Sequence, residues 1–566
     1  MFREQFEREV DYLWQRLRRL TEQYPRLEAL YARNADSRVA RLVQSAAFTF
    51  ASVHERLHDD GQALVRPLVA GTLPECLRPR PASTILQLTQ STNSAGALFS
   101  ARVGAAELPF DLVWPVHVAP IDLSDARVER VHAELQVLRM TIVGRPGTVL
   151  GNVLPEALRL FVRFERPAIA FDLIHALRDS TSHIRVQGYD AKGKLTIDTK
   201  LPLGTLRWAR VDTNERPLVS APVDRFGSST LLRDLYAFPE SFCFFDLKVG
   251  SLRQGTLERL ELALPLSRIV EGVRMLGSEN LLLSCGPATN QYKAAMVPLR
   301  ASGMERQWPV IVAGRPHAEV LHVSALRRVD PHDARNRREL LSWEAPSAPP
   351  SFEPGDTYFL LEQEVGPSDS RTELRVSFAT LHDFDRALPG ALVEGDVLAS
   401  DGELTNQLGL GDVGRRQGAS NVTRVARSRR ATLGENHAWR MNAYARMPPV
   451  RFVTAPYLNE FFKLHDSSDA RDESARIQVP RFAEAGHVRT HRLVDGMLEW
   501  GDSFSVDLDA PHASVGEAWL LGELLSRAIA ERNERLRFST LAATRAGEHL
   551  AEFSPRQGVR LPFPLG

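Results

Sequence analysis

The segment Gly188–Leu195, GYDAKGKL, carries the G-x-x-x-x-G-K spacing with which a P-loop wraps nucleotide phosphates in backbone amides and a lysine. That chemistry also needs a Ser or Thr directly after the lysine, to hold magnesium, and a helix starting there so that its N-terminal amides face the phosphates. Leu195 occupies the hydroxyl position, and the flanking HIRVQ and LTIDTK alternate as strands do. The segment therefore predicts a β-hairpin turning through DAKGK and not a nucleotide site. His487 and His491, four apart, would share one helix face as in a zinc protease, but Val488 stands where the general-base Glu belongs and Gly486 interrupts the helix. Gly501-Asp502-Ser503 repeats the nucleophile block of some esterases, yet SFSVDLD continues as a strand where a nucleophile elbow turns into a helix. His382, Asp383 and Asp385 in TLHDFDRA are metal-ligating types with no second cluster to complete a site. No catalytic residue, metal ligand or cofactor is expected, and what remains is the equipment of assembly.

The apolar patterning is the stronger signal. LLRDLYAFPESFCFFDL, Leu231 to Leu247, places Tyr236, Phe238, Phe242, Phe244 and Phe245 around Pro239. From Phe242 to Leu247 both alternating faces are apolar except at Asp246, the pattern of a short strand buried on both sides. Phe238, Pro239, Phe242, Phe244, Phe245 and Asp246 are thus expected to form a structural core. Near the amino terminus, Phe6, Val10, Leu13, Leu17, Leu20 and Tyr24 recur at intervals of 4, 3, 4, 3 and 4 and keep one stripe along a helix. A second helix should follow with Val39, Leu42, Val43, Ala46, Phe50, Val53 and Leu57 on one face.

Toward the carboxyl end, Ser514 and Glu517 have capping-box spacing and fix where a long helix begins. Val515, Ala518, Trp519, Leu521, Leu525 and Ile529 form its apolar face, while Glu517, Glu523, Arg527, Glu531 and Glu534 gather opposite. Leu520 and Leu524 fall on the charged side, so a second surface must cover them, either another part of this chain or a partner.

These elements lie in a chain of 566 residues, too long for one core, since single cores stop growing near ~250 to 300 residues. The expected fold is α+β and multidomain: an N-terminal helical region over 1–98, a β-rich central domain with inserted helices such as PAIAFDLIHALR over 99–330, a β subdomain over 331–420, and an α+β region over 421–566 ending in the long amphipathic helix. TYFLLEQEV and ELRVSFATL should pair after the linker-like APSAPPSFEPGD.

The 70 basic side chains balance the 70 acidic ones, which removes bulk charge as a reason to bind nucleic acid or a membrane surface. The arginine-rich stretch 411–446 lacks interleaved aromatics and is expected to be a solvated loop or protein-facing surface. MFREQFEREVD breaks any signal-like apolar run, and no run reaches ~18 apolar residues, so a soluble, unexported protein is expected. Cys76, Cys243 and Cys285 are few, odd in number and far apart, which suits a reducing compartment.

The aromatic stretch closely resembles a signature block of the type VI secretion baseplate subunit family TssF, also called ImpG or VasA. RLVQSAAFTFASVHERLHDDGQALVRPLVAGTLPECLRPRPAS, LLLSCGPATNQYKAAMVPLR and GEAWLLGELLSRAIAERNERLRFSTLAA resemble further blocks of that family in the same order. The resemblance implies a non-catalytic wedge protein at a cytoplasmic, inner-membrane-docked baseplate. It implies two copies around one TssG, with TssK, TssE and a VgrG hub, and contact with the membrane only through the apparatus. A wedge protein of another phage-tail-like injection machine is the near alternative, and an enzyme of unrecognised chemistry the distant one. The resemblance also favours a partner over a part of this chain as the cover for Leu520 and Leu524, in a bundle shared between the two TssF copies and TssG. Phe6, Val10, Leu13 and Leu17 are expected to belong to the same kind of interface.

Overall fold

The computed structural model describes residues 2–24, 40–54, 79–89, 96–219, 227–300, 307–330, 336–343, 357–365, 372–380, 390–428, 440–466, 477–509 and 513–559, apart from isolated positions. Met1–Gly71 forms one compact unit and Thr72–Gly566 a second.

In the first unit, helix α1 (Phe2–Gln23) is followed by α2 (40–54). A contact between the Glu9 carboxylate and His54 Nδ1 at 3.1 Å ties the start of α1 to the end of α2, so the two run antiparallel. Phe6, Val10, Leu13 and Leu17 are half-buried, with Trp14 buried beside them. The expected face of α2 is corrected. Val43, Ala47 and Ala51, at i, i+4 and i+8, make the buried line, while Leu42, Phe50 and Val53 stay 70, 48 and 49% exposed. Small side chains in that line let a neighbouring backbone come close, which periodicity counted on large residues does not register.

Among the described residues, the second unit contains five sheets. A five-stranded sheet runs Leu98–Val103, Ala106–Leu112, Cys285–Thr289, Ser83–Leu88, Ala419–Asn421, and a four-stranded one runs Leu281–Leu283, Ala157–Val162, Phe244–Lys248, Leu206–Trp208. A second five-stranded sheet runs Ile121–His132, Leu135–Gly144, Arg259–Pro265, Ile184–Tyr189, Leu195–Leu201. Eight strands lying between Tyr292 and Ser400 form a sheet in which Thr357–Val365 and Thr372–Thr380 pair antiparallel as expected. The last sheet runs Arg481–Val494, Met497–Asp509, Phe538–Arg545, Glu548–Gln557. The helices of this unit include α3 (Pro167–Arg178), with Pro167 opening it as the sequence predicts, α4 (Gly227–Ala237), α5 (Ala455–His465) and α6 (Val515–Arg532).

The α+β class and the mixture of sheets and helices agree with the expectation, but its boundaries do not. Ser83–Leu88 is a strand of the second unit, so the helical region does not reach residue 98. Arg327↔Glu339 and Leu326↔Leu340 are cross-strand partners, so a boundary at 330 would cut one sheet. The region after 421 shares a continuous core with residues 113–285 through side chains such as Phe171, Trp208, Trp519 and Phe553. Helix α6 does not end the chain's structure. It is the crossover between the parallel strands Met497–Asp509 and Phe538–Arg545, and parallel neighbours require such a connection.

Candidate partner interface

The aromatic stretch is core. After α4, Pro239 starts a short 3-10 turn, Pro239–Phe242, and the chain then enters the strand Phe244–Lys248. That strand is central, hydrogen-bonded to Ala157–Val162 on one side and Leu206–Trp208 on the other, and this explains why both of its faces are apolar. Phe242, Phe244 and Phe245 are fully buried and Phe238 nearly so. Phe244 meets Phe161 at 4.9 Å and the edge of Trp114 at 5.3 Å. Asp246, the polar exception, faces Arg159 across the ladder and takes a two-pronged bond from it, at 2.7 and 2.8 Å.

Next to Phe242 lies an ionic cluster with no local sequence signal. Asp234 of α4 accepts from Arg80 at 2.5 Å, from the backbone N–H of Leu218 at 3.1 Å, and from Arg210. Arg210 is 1% exposed, holds φ of +66°, donates to Ser241 at 2.7 Å and lies over the Phe242 ring at 4.6 Å. A left-handed non-glycine residue costs on the order of 1 to 3 kcal/mol and persists where its surroundings over-determine it. Burial alone would push the Asp234 carboxyl up, but Arg210, Arg80 and the Leu218 amide together hold it below the usual carboxylate range.

The expected partner contact on α6 is corrected. Leu520 and Leu524 are both 0% exposed in the chain's own core. The helix is covered on every side: Trp519 stacks on Trp208 at 5.4 Å, and a Cβ on Gly516 would fall 2.4 Å from the backbone of Phe171 in α3. The charged side is answered by the same chain. Glu531 accepts from the Ser228 N–H at the start of α4 at 2.8 Å, Glu523 pairs with Arg527 at 3.1 Å and with Arg556, and Glu517 accepts from the Gln478 N–H at 2.9 Å. A helix buried all round has no face left for a partner.

The helix start is as predicted, with Ser514 Oγ accepting from the Glu517 N–H at 3.1 Å. Burial pushes the Glu517 carboxyl up to about 7 against the pull of the Gln478 and Ser514 amides, and Asp172 adds to the rise. The folded chain therefore keeps a proton that the unfolded chain releases near 4.5. The stabilisation from this proton is complete below about pH 4.5 and fades as pH rises toward 7, on the order of 3 kcal/mol in all. Denaturant midpoints measured from pH 5 to 8 should fall with pH in the wild type and change less in Glu517→Gln. Parallel profiles would refute the assignment.

The motifs that suggested chemistry have structural roles. GYDAKGKL is the antiparallel hairpin Ile184–Tyr189 and Leu195–Leu201, and Asp190 Oδ1 accepts from the Lys192 and Lys194 amides at 2.9 and 2.8 Å to close its turn. Asp190 is thus a turn residue, and the amides of Lys192, Gly193 and Lys194 are already used within the turn. His487 and His491 lie on a strand, and His487 Nε2 contacts Asp502 at 2.8 Å. Ser503 lies in mid-strand, with no elbow. His382, Asp383 and Asp385 lie outside the described residues. Among the described residues no group of three or more His, Cys, Asp or Glu side chains is placed to hold a metal, and no helix is long and apolar enough to cross a membrane. In the arginine-rich stretch Arg415 and Arg416 are exposed, while 429–439 lie outside the described residues. Burial pushes the thiols of Cys243 and Cys285 up and keeps them protonated.

Comparison with known proteins adds to this geometry. The profile of the family described as "Type VI secretion system, TssF" matches residues 1–560. The type VI secretion system component TssF1 of Pseudomonas aeruginosa is 23% identical over 398 residues, 64% of this chain, and the match spans 62% of that relative's length. A chain in the cryo-electron microscopy structure of the type VI TssK-TssF-TssG baseplate subcomplex shares the fold with a TM-score of 0.73 and 16% identity, over 92% of this chain and all of that one. A chain of the type VI baseplate complex matches with a TM-score of 0.55 and 15% identity, over 99% and 100%.

Proposed function

This chain belongs to the TssF family of the type VI secretion system, and from that membership we propose that it is a non-catalytic structural subunit of the baseplate wedge. The observation that carries the reading is the match of its fold, over the full length of the matched chain, to a chain in a subcomplex of TssK, TssF and TssG. In the proposal, two copies assemble around one TssG-like protein with TssK- and TssE-like subunits and a VgrG-like hub, on the cytoplasmic side of an inner-membrane-docked machine. The assembly is the platform on which the contractile sheath grows.

With Leu520 and Leu524 withdrawn from the interface, the N-terminal hairpin is the better candidate for the shared bundle. Phe6, Val10, Leu13 and Leu17 remain partly accessible on α1, and Leu42, Phe50 and Val53 expose an apolar stripe on α2. Large apolar side chains left in solvent along one helix mark a contact site. Co-expression with TssG-like and TssK-like proteins, followed by native mass measurement, should give a complex with two copies of this chain per TssG-like subunit. Folded partners that leave this chain monomeric would overturn the proposal.

A further inference from the structure

Among the described residues, no strand pairs with the outer edge of the last sheet. Arg481–Val494 is its first strand and pairs only with Met497–Asp509. The next strand, Phe538–Arg545, pairs with Met497–Asp509 only from Gly501 onward. The hairpin therefore runs beyond its sheet as a two-stranded arm. Along the face that carries Phe504 and Asp502, each 1% exposed, exposure rises to 57% at Trp500, 52% at Leu498 and 73% at Leu493 as the cover runs out. On the opposite face Val488 and Met497 are 67 and 70% exposed. Isolated two-stranded ribbons are marginal in water, and one with apolar side chains on both faces is a contact site or an aggregation hazard.

The edge is protected at one end only. A bulge between Phe482 and Glu484, and Asn459 of α5 bonded to both the N–H and the carbonyl of Phe482, close the start of the strand. From Ala485 to Val494 there is no proline, no register shift and no acidic residue, but two arginines and two histidines. Glu499 pairs with Arg492 at 2.7 Å and Asp502 meets His487 Nε2 at 2.8 Å, which leaves the exposed Arg489 as the cation an incoming strand meets. An antiparallel pairing of this strand with a second copy of itself, centred on Arg489, would set two guanidinium groups opposite one another, which is unfavourable.

We propose that the free edge Ala485–Val494, with the apolar tip formed by Leu493, Leu498 and Trp500, docks an extended segment of a partner protein in the baseplate, and that this segment carries acidic and apolar side chains. The partner strand extends the sheet, so main-chain bonds supply affinity, and Arg489 and the tip select the segment. The inference rests on the wedge reading above.

The test co-expresses the full chain with TssG-like and TssK-like proteins and compares wild type with Arg489→Glu, Arg489→Lys, and the combined Leu498→Ser and Trp500→Ser. All these positions are solvent-facing, so melting temperatures should stay close to wild type. Arg489→Glu and the tip variant should weaken complex formation roughly tenfold or more, Arg489→Lys should retain it, and amides 485–494 of the wild type should gain protection from hydrogen exchange on assembly. Unaltered assembly in the variants with no added protection overturns the proposal. So does binding of the arm to phosphatidylglycerol vesicles that is lost in the tip variant while the protein complex stays intact, which would assign the arm to membrane. If the wild-type chain fails to join the complex, the wedge reading fails first and this inference with it.

Discussion

Replacing Leu520 and Leu524 together by glutamate should leave a chain that does not melt cooperatively and collects in the insoluble fraction, with or without its partners. Both side chains are 0% exposed, so each substitution removes leucine burial worth ~1.5 to 3 kcal/mol and brings in a carboxylate whose burial costs several more. The nearest carboxylates on the helix, Glu517 and Glu523, are themselves buried and already bonded to Gln478, Arg527 and Arg556, so no cation stands ready for two newcomers. The combined loss is on the order of 10 kcal/mol, comparable with the ~5 to 15 kcal/mol of net stability that a folded protein has. Leu520→Met, which conserves volume, should cost less than ~1.5 kcal/mol. A double-glutamate variant that melts cooperatively near the wild-type temperature, yet no longer joins TssG-like protein, would restore these leucines to a partner interface.

Asp234→Ala should be the most costly single substitution in the ionic cluster. It strips the counter-ion from Arg210, which is 1% exposed, and from Arg80, which is 8% exposed, and it leaves the Leu218 N–H without its acceptor. Removing one partner of a buried ion pair typically costs ~3 to 5 kcal/mol, because the charge left behind is uncompensated. Denaturant unfolding of the full chain measures the loss directly. The pH dependence has a definite sign: Asp234 is held below its ordinary range, so its contribution is present above the unfolded value near 3.8 and is lost as pH falls through the depressed folded value. Asp234→Asn should therefore destabilise at pH 7 and narrow the gap to wild type as the solution is acidified. A loss under 1 kcal/mol at pH 7 would show that the two arginines find other partners, and the cluster would no longer account for the left-handed backbone at Arg210.

Both predictions concern burial that one of the two routes, reading along the chain or reading across it, finds and the other misses. The sequence alone determined the local events. Alternation and a proline marked the strand around Phe244, Ser514 and Glu517 marked the start of α6, Pro167 opened α3, and Leu195 turned an apparent phosphate loop into a hairpin. Each of these rests on contacts within a few residues, where side-chain period and backbone capping are legible from residue type. Resemblance in four ordered blocks likewise found the family, which the match over residues 1–560 bears out.

What covers an element was decided only by the tertiary structure. Glu531 of α6 meets Ser228 across 303 residues, and Arg80 meets Asp234 across 154, so the charged side of the helix and the base of α4 were closed by segments that no local pattern links to them. In α2 the buried line passes through Ala47 and Ala51, leaving Phe50 in solvent, because close approach of a neighbour favours small side chains over large ones. The bare edge at Ala485–Val494 was hidden for the complementary reason, since a strand at an edge and a strand in the middle share the same alternation. Periodicity states which side chains have a common face, whereas the free energy of burying that face depends on the surface brought against it, and that surface comes from distant parts of the chain.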